Sequence, residues 1–142
     1  MDNGVTINIG NNQLSGFREV NKMAVKFIGD SYDFPPANLV ENYNGIMNVY
    51  VVWDHHLMYC APNAYPTPAN IPFRDFVEQM LRPDYRHHPD AEKADFENAE
   101  WQMENEPWTP DFDKTLEENG IAHCSFIRVK TPGLEGMHGV GN

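Results

Sequence analysis

Ile71-Pro72-Phe73-Arg74-Asp75-Phe76-Val77-Glu78-Gln79-Met80-Leu81-Arg82 is the stretch that decides the fold. Phe73, Phe76, Val77, Met80 and Leu81 recur at i, i+3, i+4, i+7 and i+8, one apolar stripe on an α-helix. Asn70 is placed to cap it, and Pro72 suits a first turn, where a missing N–H costs nothing. Arg82 precedes Pro83, which disfavours further helix, so the spacing predicts an end there. A single amphipathic helix must bury its stripe against another layer.

The flanking sequence supplies that layer as strands. Gly45 to Trp53 is rich in β-branched and aromatic residues. Asp54-His55-His56 reads as a polar turn and Leu57-Met58-Tyr59-Cys60 as the returning strand of a hairpin. Pro62, Pro66 and Pro68 then predict an extended loop. Beyond the helix, Pro89 can start a short helix through Ala94, and Ala99 to Met103 reads as a strand. Asn105-Glu106 turns into a short extended piece, Pro107-Trp108-Thr109. Asp113 to Gly120 reads as one helical turn closed by glycine. Cys124 to Lys130 alternates cleanly and forms the last strand. This order predicts an α+β fold, a mixed sheet crossed by one amphipathic helix, as in the β-grasp (ubiquitin-like) arrangement. There the last strand enters beside the first, which puts Val49, Val51, Phe126 and Ile127 at the centre.

Residues 1–31 read separately. Val5, Ile7 and Ile9 alternate with polar residues, and Met23 to Ile28 is a second strand-like run, so an N-terminal arm or hairpin is expected. Tyr32 to Asn38, with Pro35-Pro36, reads as an extended linker. The expected organisation is an arm over 1–31 and a domain over 32–142. After Thr131-Pro132-Gly133 the chain reads as a glycine-rich tail.

Composition narrows the partners. The 142 residues suit one folded domain, and three Trp, six Tyr and eight Phe promise a real core. A net charge of −11 repels phosphate, which argues against nucleic acid and against an anionic membrane surface. A basic protein patch remains a fitting partner. Met1-Asp2-Asn3-Gly4 has no positive leader, and no run approaches the roughly 20 apolar residues of a membrane span. Cys60 and Cys124 are expected to be buried thiols in a reducing cytoplasm.

Signatures of chemistry are few. There is no phosphate loop, no nucleophile elbow and no Cys-x-x-Cys pair. His55-His56, Cys60, His87-His88 and His123-Cys124 could converge on a metal. Neighbouring histidines on a strand point to opposite faces, so each pair supplies at most one ligand, and the spacings depart from zinc templates. The expectation is therefore no catalytic and no metal site; the alternative is a free-standing small metal-binding protein using the histidine pairs. Glu135-Gly136-Met137-His138 matches a di-iron ligand string, but that chemistry needs helices in a bundle, and these residues lie in the tail. From Asp90 to Glu106 seven carboxylates face one lysine, a solvated surface able to meet basic residues of a partner. Trp53 and Trp108, set near turns, together with Leu134 and Met137 in the tail, are the expected partner-binding residues.

Several ordered motifs also resemble one family. Val40-Glu41-Asn42-Tyr43-Asn44-Gly45, then Trp53-Asp54-His55-His56-Leu57 through Cys60-Ala61-Pro62, are similar to the small, gamma-type subunit of bacterial multicomponent phenol hydroxylases. The likeness continues in His88-Pro89-Asp90, Lys93-Ala94-Asp95-Phe96, Asn98-Ala99-Glu100-Trp101 and Glu106-Pro107-Trp108-Thr109-Pro110. It ends with Leu116, Gly120-Ile121, His123, Thr131-Pro132-Gly133-Leu134 and Gly136-Met137, covering roughly residues 32–142 and not 1–31. The resemblance implies a non-catalytic structural subunit of a soluble di-iron monooxygenase. A large subunit would hold the di-iron centre and hydroxylate phenols with dioxygen, beside a second hydroxylase subunit. An effector protein and a reductase carrying electrons from NADH through FAD and a 2Fe–2S cluster would complete the system. No catalytic residue and no cofactor is carried over to this chain.

Overall fold

A computed structural model describes residues 36–139 of the chain. The expected arm over 1–31 lies outside the described residues. Five strands form one mixed sheet: β1 (Ile46–Trp53), β2 (Asn63–Pro68), β3 (Glu100–Met103), β4 (Glu106–Trp108) and β5 (Phe126–Lys130), in the order β2-β1-β5-β3-β4. β1 and β5 run parallel at the centre, with Val51 opposite Ile127 and Trp53 opposite Val129. The other neighbours are antiparallel. This is the expected β-grasp topology.

The helix, α1, has three parts: Phe73–Phe76 is α-helical, Val77–Leu81 is a π-type turn and Arg82–Tyr85 is α-helical again. Its buried face carries Phe73, Phe76, Val77, Leu81 and Tyr85, packed with Val49, Val51, Ile127 and Val129 of the sheet. Met80 is half-buried, as the wider π-type turn rotates it off the stripe. The expected stop at Arg82 is wrong, and the same turn shows why. Arg82 donates to the Val77 carbonyl, five residues back, just before Pro83, which has no N–H to donate. The shifted ladder carries the helix past the proline. Asn70 does not cap it either. Pro72 holds the cap position, and the first-turn amides of Phe73 and Arg74 donate to the carbonyls of Lys114 (2.8 Å) and Phe112 (3.0 Å). Backbone from a distant loop thus takes the place of a capping side chain.

The hairpin partner of β1 also differs from expectation. Leu57–Tyr59 is a short 3-10 turn, and the returning strand is the proline-bearing Asn63–Pro68. β2 is an edge strand. Pro66 and Pro68 are two apart, so their missing N–H groups point to the same side. Six register pairs with β1 persist, which makes that side the outer one. Tyr65 and Thr67, on the other parity, are buried. At the opposite edge, β4 carries Pro107. The last strand starts at Phe126 rather than Cys124, whose φ of 68° places it in the preceding turn. Cys60 is exposed and Cys124 half-buried, both free thiols, since both sit in turns rather than on the apolar faces expected of them. Between β4 and β5, Thr115 and Glu118 cap one turn reciprocally, and Gly120 closes it at φ +79°.

Candidate functional site

Trp53, expected at a partner surface, is fully buried. It ends the central strand β1, so the parity that buries Val49 and Val51 buries it too. Its Nε1–H donates to Thr131 Oγ1 at 3.0 Å, and its ring stacks on His56 with centroids 3.7 Å apart. Tyr85 (4.9 Å), His88 (5.5 Å) and Tyr59 (5.9 Å) surround it. Trp53 is a core residue, and no partner can reach it in the folded chain.

The same place brings the histidine pairs together, one member from each. His56 and His88 are buried and meet Asp90, while His55 lies in the turn, at φ 64°. His56 Nδ1–H donates to the Asp54 carbonyl at 2.7 Å, and Nε2 lies 3.2 Å from Asp90 Oδ2. His88 Nδ1 accepts the Asp90 amide at 3.1 Å. A backbone carbonyl orienting His56 is a common feature of metal sites. His88, however, already spends the lone pair of the nitrogen facing Asp90. The trio therefore reads as a hydrogen-bonded brace that ties the β1–β2 turn to the segment after α1. The sequence reading missed it because nothing in the spacing of the histidine pairs shows that their inward members meet at Asp90.

Burial pushes His88 below the usual histidine value of 6.5, and the neighbouring His56 ring adds to this, while Asp90 opposes it. A lowered folded value means the unfolded chain takes the proton first. His88 thus contributes stability that is present above pH 6.5 and lost as pH falls further. The thermal midpoint should drop on acidification through that range. His88→Asn, whose Oδ1 can still accept the Asp90 amide, should flatten the drop; an unchanged slope would show that His88 is not the coupled group.

A second polar cluster lies under the start of β2. Asp84 accepts the Tyr65 hydroxyl at 2.5 Å and Asn63 Nδ2 at 2.6 Å, and its carbonyl accepts the Tyr59 hydroxyl at 3.1 Å. Burial and the Asp84 carboxylate push Tyr65 well above the ordinary tyrosine range. Among the described residues, the buried Tyr85 hydroxyl has no hydrogen-bond partner.

The other three expected partner residues lie nearer the surface. Trp108, on the edge strand β4, is half-buried, edge-on to Phe73 at 5.6 Å. Leu134 is half-buried against the core and Met137 is 54% exposed. His55 Nδ1 lies 3.7 Å from Glu135 Oε2, which sets the tail against the turn after β1. Leu57 and Met58, two and three residues past His55, are each 52% exposed. The sequence reading passed over these two because it placed them in a strand. Glu135 and His138 do not fit a di-iron centre: both lie outside any bundle, and His138 has φ +61°.

Comparison with known proteins settles the family. The phenol hydroxylase family model matches residues 38–130. The chain belongs to the phenol hydroxylase family. Within that family it is 44% identical over 117 residues to the phenol 2-monooxygenase oxygenase component DmpO of Pseudomonas sp. (strain CF600). The match covers 82% of this chain and 98% of that protein. A chain in the crystal structure of xenon-pressurized phenol hydroxylase from Pseudomonas sp. OX1 superposes with a TM-score of 0.78 at 44% identity. That match covers 84% of this chain and all of the other. The phenol hydroxylase family model thus covers all five strands and the helix, and it includes Trp53, the histidine brace and Trp108. Among the described residues, no helix is long and apolar enough to cross a membrane.

Proposed function

We propose that this chain is a non-catalytic structural subunit of a multicomponent phenol hydroxylase in the cytoplasm. On this reading the phenol is hydroxylated with dioxygen at a di-iron centre held by a larger subunit, next to a second hydroxylase subunit. An effector protein regulates the cycle, and a reductase with FAD and a 2Fe–2S cluster supplies electrons from NADH. The observation that carries the reading is the match to DmpO, named as an oxygenase component, over nearly that protein's whole length. The described residues are compatible with it: His56 and His88 are each tied to backbone, His56 to the Asp54 carbonyl and His88 to the Asp90 amide, and both lie against the Asp90 carboxylate. On the same reading, residues 32–142 form the subunit domain, residues 1–31 an appended arm, and Trp108, Leu134 and Met137 touch the partner subunits.

Affinity purification of the tagged chain from its native cells should bring down the larger hydroxylase chain in fixed stoichiometry. The purified chain, mixed with reductase and NADH but without that larger chain, should give no hydroxylated product. Product above background would overturn the non-catalytic assignment, and a chain that purifies alone would overturn the subunit assignment.

A further inference from the structure

A groove of about 520 Å³ opens beside β4, lined among others by Glu97, Glu100, Trp101, Pro107, Trp108 and Phe112. Its floor is aromatic and anchored to the core, with Trp108 and Phe112 packing edge-on to Phe73 at 5.6 and 5.1 Å. Its charge is one-sided. Its lining holds two carboxylates, Glu97 and Glu100, and no lysine or arginine. The neighbouring cation, Arg74, hydrogen-bonds both Glu97 and Asp113, with its guanidinium 5.6 Å from the Phe112 ring centroid. It is therefore already matched by two carboxylates. Glu100 pairs in register with Lys130 across β3 and β5 but makes no ion pair with it among the described residues.

We propose that this groove receives an extended basic segment of a larger hydroxylase chain, with a lysine or arginine beside an apolar side chain. The proposal rests on the subunit reading above and adds the place and chemistry of one contact. An apolar side chain fits the floor formed by Trp108, Phe112 and Pro107. The adjacent cation meets the Glu97 and Glu100 carboxylates and the aromatic faces. Recognition runs through side chains rather than strand addition, because Pro107 breaks the row of donors on the β4 edge. Trp108 is the natural anchor, as half-buried tryptophans at protein contacts carry disproportionate affinity.

The test is titration of the full-length chain into the remaining hydroxylase subunits at low and high salt. Glu97→Gln/Glu100→Gln should weaken binding about 10-fold at low ionic strength, with the gap narrowing as salt screens it. Trp108→Ala should weaken it about 10-fold or more at both. Hydrogen exchange on the unaltered chain is independent of how the variants fold, and residues 97–112 should gain protection in the assembly. Wild-type affinity in both variants, or no added protection over 97–112, would overturn the groove contact while the subunit reading stands. Failure of the unaltered chain to assemble would overturn both. Protection that appears in the chain alone as its concentration rises would assign the groove to a second copy and overturn the proposal.

Discussion

Phe76→Ala should lower the unfolding free energy by about 3–5 kcal/mol, the usual cost of emptying a fully buried phenylalanine site. Phe76 has no exposed surface. Its ring meets Tyr65 edge-on at 5.8 Å and Phe73 at 6.1 Å, so it joins the edge strand β2 to the start of α1. It also immediately precedes the π-type turn. A cavity there cannot collapse easily, because Phe73 is held by Trp101, Trp108 and Phe112, each at 5.1–5.6 Å. Small domains have only about 5–15 kcal/mol in total, so the variant should sit near the edge of folding. Urea unfolding with an unchanged m-value is the measurement. A loss below about 1 kcal/mol, the scale of an ordinary surface change, would show that the stripe is not core.

Trp53→Ala is expected to be as damaging, also about 3–5 kcal/mol, and to act through the fold rather than through a partner. The ring is the hub on which His56, Tyr85, His88 and Tyr59 converge. Its loss empties the centre of the cluster and leaves Thr131 Oγ1 without its donor. Trp53→Phe separates the two effects. It keeps an aromatic ring but removes the hydrogen bond, and should cost less than the alanine. The outcome that would contradict the core assignment is a Trp53→Ala chain with wild-type unfolding but weakened assembly. Such a result would return Trp53 to an interface.

Where sequence alone succeeded, local pattern and tertiary demand agreed. The apolar stripe from Phe73 to Leu81 repeats at helical spacing because the sheet is a continuous layer, and four of its five members are buried. The alternation in Phe126 to Lys130 is equally plain, with Ile127 and Val129 inward. The failures share one cause, which is that local signals were met by distant chain. Pro66 and Pro68 read as loop because a central strand cannot hold them, but sequence does not announce that a strand is at an edge. Pro83 read as a stop because the change of ladder that passes it leaves no trace in residue types. The helix cap came from carbonyls some forty residues away, at Phe112 and Lys114. The histidine brace was half legible. That each pair gives one inward member follows from backbone geometry. That the two inward members meet, with Asp90 between them, depends on where α1 delivers the chain.

Prolines at both rims of the sheet bear on the life of the chain before it finds its partners. Pro66 and Pro68 interrupt one outer row of donors, and Pro107 interrupts the other. Among the described residues both rims of the sheet are open, and an open rim is a template for a second copy of the same chain. Because neither rim offers an unbroken row of amides, strand-to-strand addition of copies is disfavoured. The same prolines that look out of place in a strand thus act against self-association while the chain is unassembled.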